Sequence, residues 1–487
     1  MAVDAPAFRH APGLSLSYTG QLPRQTALFV DGDAAGATTH WEGRLEALRF
    51  TDWLPTAAPY RVASPRRVLV LGSGGGLEVL NALAHGAASV TAVELVGPLA
   101  VLADSATDPA STILGRADVR TVIGDARAFV SRTDERFDVV VLPLSGAMTT
   151  AAAGIYSLGE DYLNTVEAYR AYLRVLAPGG VLAITRWTRT PPRDNVRVLL
   201  TAAQALRAEG LADVNRSMVF LRSWATGTLL LRPDGFGDRE LERLVAFAAE
   251  RRFDLDWPEL GTPSFNLLEP PTFARAAGAA AAGAAESEAF GTAYRFRVEP
   301  TTDDRPYFGR FLRLSAWTDL LRQQRGAWLP FAEWGSLAVA ATLVQSGLLG
   351  LILIGLPALI LVSRHQVRLA TRSALYFGSL GFGYVFVEMT GIQRLSLLLG
   401  HPVYAAAATL AVLLAFSGLG SALSDRLPDE WTSRACLGVA FLAFLGGVAV
   451  PWAGVATALP VYARITIALI LIAIPATAMG IPFPSGL

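Results

Sequence analysis

Glycines and one carboxylate stand at the spacing of a nucleoside-binding site in residues 68–95, VLVLGSGGGLEVLNALAHGAASVTAVEL. The apolar run before Gly72 is typical of a buried parallel strand, and Gly72, Gly74 and Gly76 permit a turn in which the backbone approaches a ligand. Glu94 ends the next apolar run, where a carboxylate can accept hydrogen bonds from both ribose hydroxyls. A purely structural tight turn is the alternative. The order strand, loop, helix, strand and acid favours a nucleotide or adenosyl-cofactor site.

The same alternation of strands and helices continues along the chain. Residues 118–123 predict a strand followed by GDAR, where Asp125 could bind an adenine amino group and Ala126 opens a helix. The almost wholly apolar FDVVVL of residues 137–142 predicts another buried strand. The carboxyl ends of parallel strands meet at one edge of a sheet. The predicted cofactor-binding residues at that edge are Gly72, Gly74, Gly75, Gly76, Glu94, Asp125 and Ala126.

Composition divides the chain into two physical classes. Its 487 residues, 52% of them hydrophobic, exceed what one core usually supports. Residues 1–333 carry mixed charge, whereas long apolar runs dominate residues 334–487. With 41 basic and 41 acidic residues there is no nucleic-acid footprint. The single cysteine, Cys436, removes disulfide frameworks and cysteine-rich metal sites, and no metal is expected.

About five membrane spans are predicted after residue 333, and residues 1–20 lack the features of a cleavable signal peptide. The chain stops directly after the last span, so it is interpreted as a possible fragment of a longer protein. The alanine and glycine run at 276–285 is interpreted as either a flexible surface segment or a lid. The predicted spans are Trp334–Val362, Ser373–Leu399, Pro402–Leu423, Ala435–Trp452 and Val461–Gly480.

Ionisable residues in and beside these spans bear on function and orientation. Glu388 and Arg394 are expensive in lipid, so they should face the bundle, either as a structural polar contact or in a transport or substrate role. The loop arginines Arg364, Arg368 and Arg372 favour a cytoplasmic loop, while the basic residues just before the first span favour the opposite orientation. Because adenosyl cofactors are made in the cytoplasm, the catalytic domain is predicted to be cytoplasmic.

Five segments in order resemble the S-adenosylmethionine-dependent transferase fold, in particular its spermidine synthase branch: VLVLGSGGG, VTAVEL, GDAR, FDVVVL and LAPGGVLAITRW. Three more, IYSLGEDYLNTVEAYRAYLR, TTDDRPYF and LGHPVYA, resemble a bacterial group in which such a domain is fused to a multi-pass membrane domain. The resemblance implies a Rossmann-like class I methyltransferase fold with a seven-stranded sheet. It implies an N-terminal β region in 1–60, a cofactor-binding domain in 61–333 and a transmembrane domain in 334–487. The implied cofactor is S-adenosylmethionine or its decarboxylated form.

The chain departs from spermidine synthases at two carboxylates. Those enzymes usually have GGGDG in the glycine loop, with an aspartate that helps to hold the aminopropyl amine, and Gly75 stands there instead. They also carry a catalytic aspartate after the fourth strand, where this chain has Pro143. Aminopropyl transfer needs an amine freed of its proton and held in line with the sulfonium carbon. The cofactor site is therefore better supported than the reaction.

By analogy with the family, three acids near the site could substitute for the missing carboxylates: Asp52, Glu160 and Asp161. The alternative for Asp161 is an ordinary acidic first turn of a helix. Tyr156 and Ser157 could line the substrate pocket, or they could belong to the core.

Other aspartates have weaker claims. Asp31 and Asp33 could bind a cationic substrate, although Asp-Gly-Asp also favours a turn. In TTDDRP, a pairing of Asp303 or Asp304 with Arg305 is predicted to order the approach to the membrane.

Three hypotheses follow. The first is a membrane-tethered transferase that uses an adenosyl sulfonium donor and a small-molecule or lipid-soluble acceptor. The second is a true polyamine aminopropyltransferase with relocated acidic residues. The third is a non-catalytic sensor whose adenosyl ligand regulates the membrane helices. A homodimer is left open in each case, and nucleic acid is not expected as a partner.

Overall fold

The computed structural model describes residues 1–30, 33–144, 159–266, 271–313, 334–361, 367–399, 402–424, 426–428, 430–448 and 460–485. The chain divides into two compact units, the sheet unit Met1–Ala338 and the helical unit Val339–Leu487. The domain limits expected at residues 60 and 333 remain predictions.

A small antiparallel sheet opens the sheet unit. Its strands, in the order β1-β2-β3, are β1 Ala2–Asp4, β2 Gln25–Val30 and β3 Asp33–Thr39. Two 3-10 segments follow, Leu45–Trp53 and Pro55–Arg61. They carry the buried Leu48, Phe50 and Tyr60 and pack this region against the larger core.

The large sheet has the order β11-β9-β10-β8-β7-β4-β5-β6, and the five strands from β8 to β6 run parallel. β10 is antiparallel to both β8 and β9. The central strands are continuous apolar runs because helices cover both faces of the sheet. The strands are β4 Arg67–Leu71, β5 Ser89–Glu94, β6 Val119–Ile123, β7 Phe137–Leu142, β8 Leu176–Trp187, β9 Met218–Arg222, β10 Thr226–Leu231 and β11 Asp254–Trp257.

This arrangement confirms the predicted α/β fold class, with one correction. The described part of the large sheet has eight strands rather than seven, because β11 joins its edge beside β9. The sequence DLDW conceals this strand, since its first residue is a buried acid. Asp254 lies 2.6 Å from Arg222 of β9 and accepts hydrogen bonds from the amides of Phe265 and Asn266.

Helices of the sheet unit pack on both faces of the large sheet. The alanine and glycine run expected to be a flexible segment or a lid is instead helical, because Ala276, Ala277 and Ala280 are buried in the core. A 3-10 turn, Pro109–Ser111, lies between the second and third helices. The helices are α1 Leu77–Ala84, α2 Gly97–Ser105, α3 Ala126–Val130, α4 Val166–Arg174, α5 Asp194–Ala208, α6 Asp238–Arg251, α7 Thr272–Ala282 and α8 Ala284–Ala293.

One buried arginine of α5 holds the segment that ends the described part of the sheet unit. The guanidinium of Arg197 donates to the carbonyl oxygens of Tyr307 (3.1 Å) and Arg310 (3.0 Å), and to those of Arg297 and Phe308. Four carbonyls in residues 297–310 therefore converge on one cation. We call residues 297–310 the strap.

Helix α9, Trp334–Gly350, begins in the last residues of the sheet unit and continues into the helical unit. The helical unit also contains a π-helical turn Leu351–Gly355, α10 Leu356–Leu361, α11 Val367–Leu399, α12 Pro402–Ser424, α13 Glu430–Val448, α14 Val461–Gly480 and α15 Pro482–Ser485. Four stretches of the described residues are long and apolar enough to cross a membrane, judged by length and composition: Leu337–Gly355, Arg368–Ser396, Val403–Ser424 and Tyr462–Pro484. The predicted span Ala435–Trp452 overlaps α13, and its last residues lie outside the described part. Glu388 and Arg394 are half-buried on α11, and their roles stay predictions.

Glycines bring α12 and α14 into backbone contact. A side-chain carbon on Gly420 would overlap the carbonyl oxygen of Thr477, and one on Gly480 would overlap that of Ser417. The contact is reciprocal, so each helix presents a glycine to a carbonyl of the other. Small residues at such crossings allow close packing between membrane helices.

Candidate functional site

The glycine loop joins β4 to α1 and turns through left-handed conformations. Gly72, Gly74 and Gly76 have φ values of 98°, 51° and 85°, which favour glycine. The amides of Gly72 and Ser73 both donate to the carbonyl oxygen of Val93 on β5, at 2.8 and 3.1 Å. A side-chain carbon built on Gly72 would meet no atom within 4 Å. The backbone is thus exposed to open space at this point.

Glu94 ends β5 and its carboxylate is held by the surrounding backbone. The Gly74 amide donates to Oε2 (2.8 Å) and the Val96 amide donates to Oε1 (3.0 Å). The Ser73 hydroxyl lies 3.4 Å from Oε2. A carboxylate offers about four acceptor positions, so Oε1 keeps one for a further donor. The residue is only 6% exposed, and its carboxylate is fixed in place before any ligand binds.

Asp125 follows β6 and caps the amino terminus of α3. Its Oδ1 accepts a hydrogen bond from the Ala128 amide at 2.8 Å, and burial raises its pKa above the usual aspartate value. Ala126 is buried as the first residue of the helix. Gly124, just before the cap, has open space where a side-chain carbon would lie.

These groups lie together because β4, β5 and β6 are neighbours in the sheet. We call the carboxyl ends of these strands the β4–β6 edge. Two apolar residues that the sequence analysis missed also belong here, Leu95 (38% exposed) and Ile123 (56% exposed). Leu95 directly follows β5, and Ile123 ends β6. Only the structure shows that these large apolar side chains are exposed. The open backbone, the fixed carboxylates and the apolar surface together fit a nucleoside.

Gly75 has a different environment from the other loop glycines. A side-chain carbon at this position would overlap the carbonyl oxygen of Ala37 in β3. The small sheet therefore packs its backbone directly against the loop. The position at which spermidine synthases usually place an aspartate has no room for any side chain here.

A second edge is formed by the carboxyl ends of β7 and β8, which we call the β7–β8 edge. Pro143 follows β7 and Arg186 lies near the end of β8. Arg186 is 3% exposed, its Nη1 lies 3.5 Å from the Pro143 carbonyl oxygen, and its guanidinium lies over the Phe308 ring. The carbonyl oxygen of Pro143 therefore lies close to a buried cation.

Glu160 and Asp161 are both engaged in local contacts. Asp161 accepts hydrogen bonds from the Leu163 amide (3.0 Å) and from Asn164 Nδ2 (2.6 Å). Tyr162 donates to the Glu160 carboxylate, and burial together with that charge raises the tyrosine pKa. Because Asp161 folds the chain into a turn, α4 starts only at Val166, with Thr165 as its cap.

Asp52 is not brought to either edge. It contacts His85 Nε2 at 3.1 Å and forms ion pairs with Arg61 and Arg251. His85 ends α1, and eight to nine residues of helix separate it by about 13 Å from the glycine loop where α1 begins. The predicted location of Asp52 near the site mouth is therefore wrong.

A non-local ion pair links three segments around α4. Arg127 of α3 binds Asp303 through two bonds of 3.1 and 2.9 Å, and Thr165 donates to the same carboxylate at 2.6 Å. Arg127 also donates to the Tyr162 carbonyl oxygen at 2.9 Å. The predicted pairing of Asp303 with Arg305 is wrong, because the carboxylate is taken by an arginine 176 residues away in sequence.

Sequence reasoning also missed Glu78, a buried acid in the first turn of α1. Asn81 Nδ2 donates to its Oε2 at 2.9 Å, and Thr56 provides a further hydrogen bond. Tyr60 stacks on His85 in the same cluster, with ring centroids 4.9 Å apart. Burial raises the pKa of Glu78 above its usual value. In sequence it reads as an ordinary acidic residue at a helix start.

Three predicted site residues lie outside the described residues: Asp31, Tyr156 and Ser157. Asp33 opens β3. Within the described ranges, no group of three His, Cys, Asp or Glu side chains is placed to hold a metal ion.

Comparison with known proteins gives sequence relatives that match part of the chain. A protein named polyamine aminopropyltransferase 2 from Hyperthermus butylicus is 32% identical over 190 residues, which is 37% of this chain. The match spans 59% of that relative's length. No protein-family model matches the chain. The chain is thus similar, over part of its length, to a protein of that name.

Solved structures show a weaker likeness. A probable spermidine synthase from Corynebacterium glutamicum has 19% identity and a TM-score of 0.33, and the match covers 48% of this chain and 81% of that one. Spermidine synthase from Thermotoga maritima has 15% identity and a TM-score of 0.32, covering 55% and 89% of the two chains. At these scores the likeness adds nothing to what the strand order already defines.

Proposed function

We propose that the sheet unit is a transferase that takes an alkyl group from an adenosyl sulfonium donor, S-adenosylmethionine or its decarboxylated form. The observation that carries this proposal is the β4–β6 edge, where open glycine backbone and two fixed carboxylates stand on three adjacent strand ends. The partial identity to an aminopropyltransferase supports the same class of donor.

The residues of this edge would hold the donor in distinct ways. The backbone at Gly72 gives close approach, and Glu94 Oε1 accepts from a ribose hydroxyl. Asp125 accepts from the adenine amino group through the oxygen that does not cap α3. Leu95 and Ile123 provide apolar surface for the purine. The sulfonium would supply a carbon activated for attack, and the protein holds it in position.

The helical unit would tether the transferase to a membrane. Its four long apolar helices support this, and a small-molecule or lipid-soluble acceptor would explain the fusion. Arg368 and Arg372 lie at the amino-terminal end of α11, and the positive-inside tendency would place that end in the cytoplasm and the sheet unit outside. The donor, however, is a cytoplasmic metabolite, so we place the sheet unit in the cytoplasm. A cysteine at the exposed Arg66, in a Cys436→Ser background, should react with an impermeant maleimide only after the cells are lysed. Labelling of intact spheroplasts would reverse this orientation.

Calorimetry of the full chain in detergent tests donor binding. S-adenosylmethionine, its decarboxylated form and methylthioadenosine are titrated in turn. Glu94→Ala should weaken the affinity by roughly 1–3 kcal/mol, the usual cost of leaving polar groups unpaired.

A matched control keeps the interpretation specific. Asp104 also accepts backbone amides, those of Ile113, Leu114 and Gly115, but it lies near the far end of α2. Asp104→Ala should lower stability and leave donor affinity unchanged. Equal affinities for the Glu94 variant and the wild type would contradict the ribose assignment.

Aminopropyl transfer to a polyamine is the second candidate, favoured by the name and 32% identity of the Hyperthermus relative. It requires preference for the decarboxylated donor and methylthioadenosine release with putrescine. Donor binding without turnover of amine, phenol and lipid acceptors would instead indicate a non-catalytic sensor.

A further inference from the structure

We propose that the acceptor reacts as an anion, a carboxylate, and not as a protonated amine. This inference rests on the proposed transferase function and specifies its acceptor. The observations that carry it are the absence of carboxylates from two positions beside the reaction site and the presence of a buried arginine at one of them.

The first observation concerns where a carboxylate could stand. Gly75 cannot carry one, since the Ala37 carbonyl fills the space of its side chain. Pro143 occupies the position directly after β7. Residues 145–158, SGAMTTAAAGIYSL, contain neither Asp nor Glu. The stretch of chain that follows β7 therefore has no acid until Glu160.

The nearest acids along the chain already hold local structure. Both oxygens of Asp161 accept hydrogen bonds from its own turn, and Glu160 accepts one from Tyr162. Asp52 lies beside His85 at the carboxyl end of α1, about 13 Å of helix from the glycine loop. An ammonium group at the β7–β8 edge would have to compete with the present donors for Asp161 and Glu160.

The second observation is the charge of the β7–β8 edge. The Arg186 guanidinium lies 3.5 Å from the Pro143 carbonyl oxygen and over the Phe308 ring, and its charge reaches the Tyr169 hydroxyl. Arg189 lies beyond the end of β8, and Asp194 at 3.5 Å offsets its charge. A fixed buried cation stabilises a nearby anion and repels a nearby ammonium ion.

The chemistry of transfer agrees with this charge. An anionic oxygen uses its lone pair to form a bond to the sulfonium-bound carbon, the carbon–sulfur bond breaks, and its electron pair neutralises the sulfur. No proton is released, so no base is needed. An ammonium ion must first lose a proton to a base before it has a lone pair to donate.

A matched pair of four-carbon probes tests the inference. Succinate, a dianion, and putrescine, a dication, are titrated calorimetrically into the full chain saturated with S-adenosylhomocysteine or methylthioadenosine. Succinate should bind at least about tenfold more tightly, as expected when one nearby charge changes from attraction to repulsion. Arg186→Met should remove this preference.

A second variant keeps the test decisive if Arg186→Met fails to fold. Pro143→Asp restores a carboxylate after β7, and putrescine affinity should rise about tenfold over wild type. Tighter wild-type binding of putrescine than succinate would overturn the inference, as would equal putrescine affinity in wild type and Pro143→Asp. Putrescine turnover abolished by Asp33→Asn would show that β3 supplies the carboxylate, which also overturns the inference. Failure of donor binding itself would instead refute the proposed function.

Discussion

The β4–β6 edge and the β7–β8 edge belong to one sheet but present opposite chemistry. At the first, Gly72 and Gly124 leave open space, and Glu94 and Asp125 are fixed acceptors. At the second, a proline ends one strand and a buried arginine stands on the other. If the proposed function holds, the first edge would bind the donor while the second lacks a carboxylate directly after β7. Donor and acceptor recognition would then be separable properties of adjacent strands.

Loss of Arg197 should give the largest loss of stability. It concerns the β7–β8 edge, because the strap that Arg197 holds carries Phe308, which contacts Arg186. Arg197→Met leaves four strap carbonyls without their donor, so the free energy of unfolding should drop by about 3 kcal/mol or more. Arg207→Met is the control, because Arg207 donates to the single carbonyl of Ala280 and should cost about 1 kcal/mol. Denaturation of the full chain in detergent measures both. Equal losses would show that the strap does not depend on this cation.

Substitutions at two glycines of the same loop should have different effects, one on stability and the other on donor affinity. Gly75→Ala should push β3 off the loop and cost about 1–3 kcal/mol of stability. Gly72→Ala meets no atom and should cost only about 1 kcal/mol, from its positive φ, but its methyl group should reduce donor affinity about tenfold or more. Thermal unfolding and calorimetry on the same two variants give the comparison. Normal donor binding by Gly72→Ala would remove that glycine from the site.

The smallest predicted effect is a pH dependence of stability that comes from Glu78, in the helix that follows the glycine loop. Since the folded-state pKa of Glu78 is raised, wild-type stability is greatest below the ordinary glutamate pKa and falls as pH rises through the folded value. Glu78→Gln should therefore gain roughly 1 kcal/mol relative to wild type at neutral pH, and the gain should vanish in acid.

Asp118 offers a control of opposite sign, because hydrogen bonding from Arg116 lowers its pKa. Its contribution is present at neutral pH and is lost as pH falls through that lowered value. Unfolding of Glu78→Gln and Asp118→Asn at several pH values measures both slopes. Slopes of the same sign would contradict the assigned environment of Glu78.

The elements that depend on neighbouring residues in sequence were predicted correctly. The apolar runs of β4, β5 and β7 and the glycine loop were predicted from neighbouring residues, because burial on both faces leaves a continuous signal in sequence. The strand β11 was missed, since Asp254 is buried only by virtue of its partner on β9.

Partners that are distant in sequence could not be predicted from the local sequence pattern. Asp303 reads in sequence as a neighbour of Arg305, but the fold brings Arg127 to it. Asp52 reads as an acid near the site, whereas α1 carries its partner His85 to the far end of the helix. In both cases the acid was identified and its distance along the chain was no guide to its position in space. The engagement of Asp161 shows the same limit on predicting whether a carboxylate is available.

The reciprocal glycine contacts between α12 and α14 restrict how the helical unit can change shape. A side chain at either glycine would overlap a main-chain carbonyl of the other helix, so only glycine permits this approach. At this crossing, a change of shape that keeps the contact must move the two backbones together.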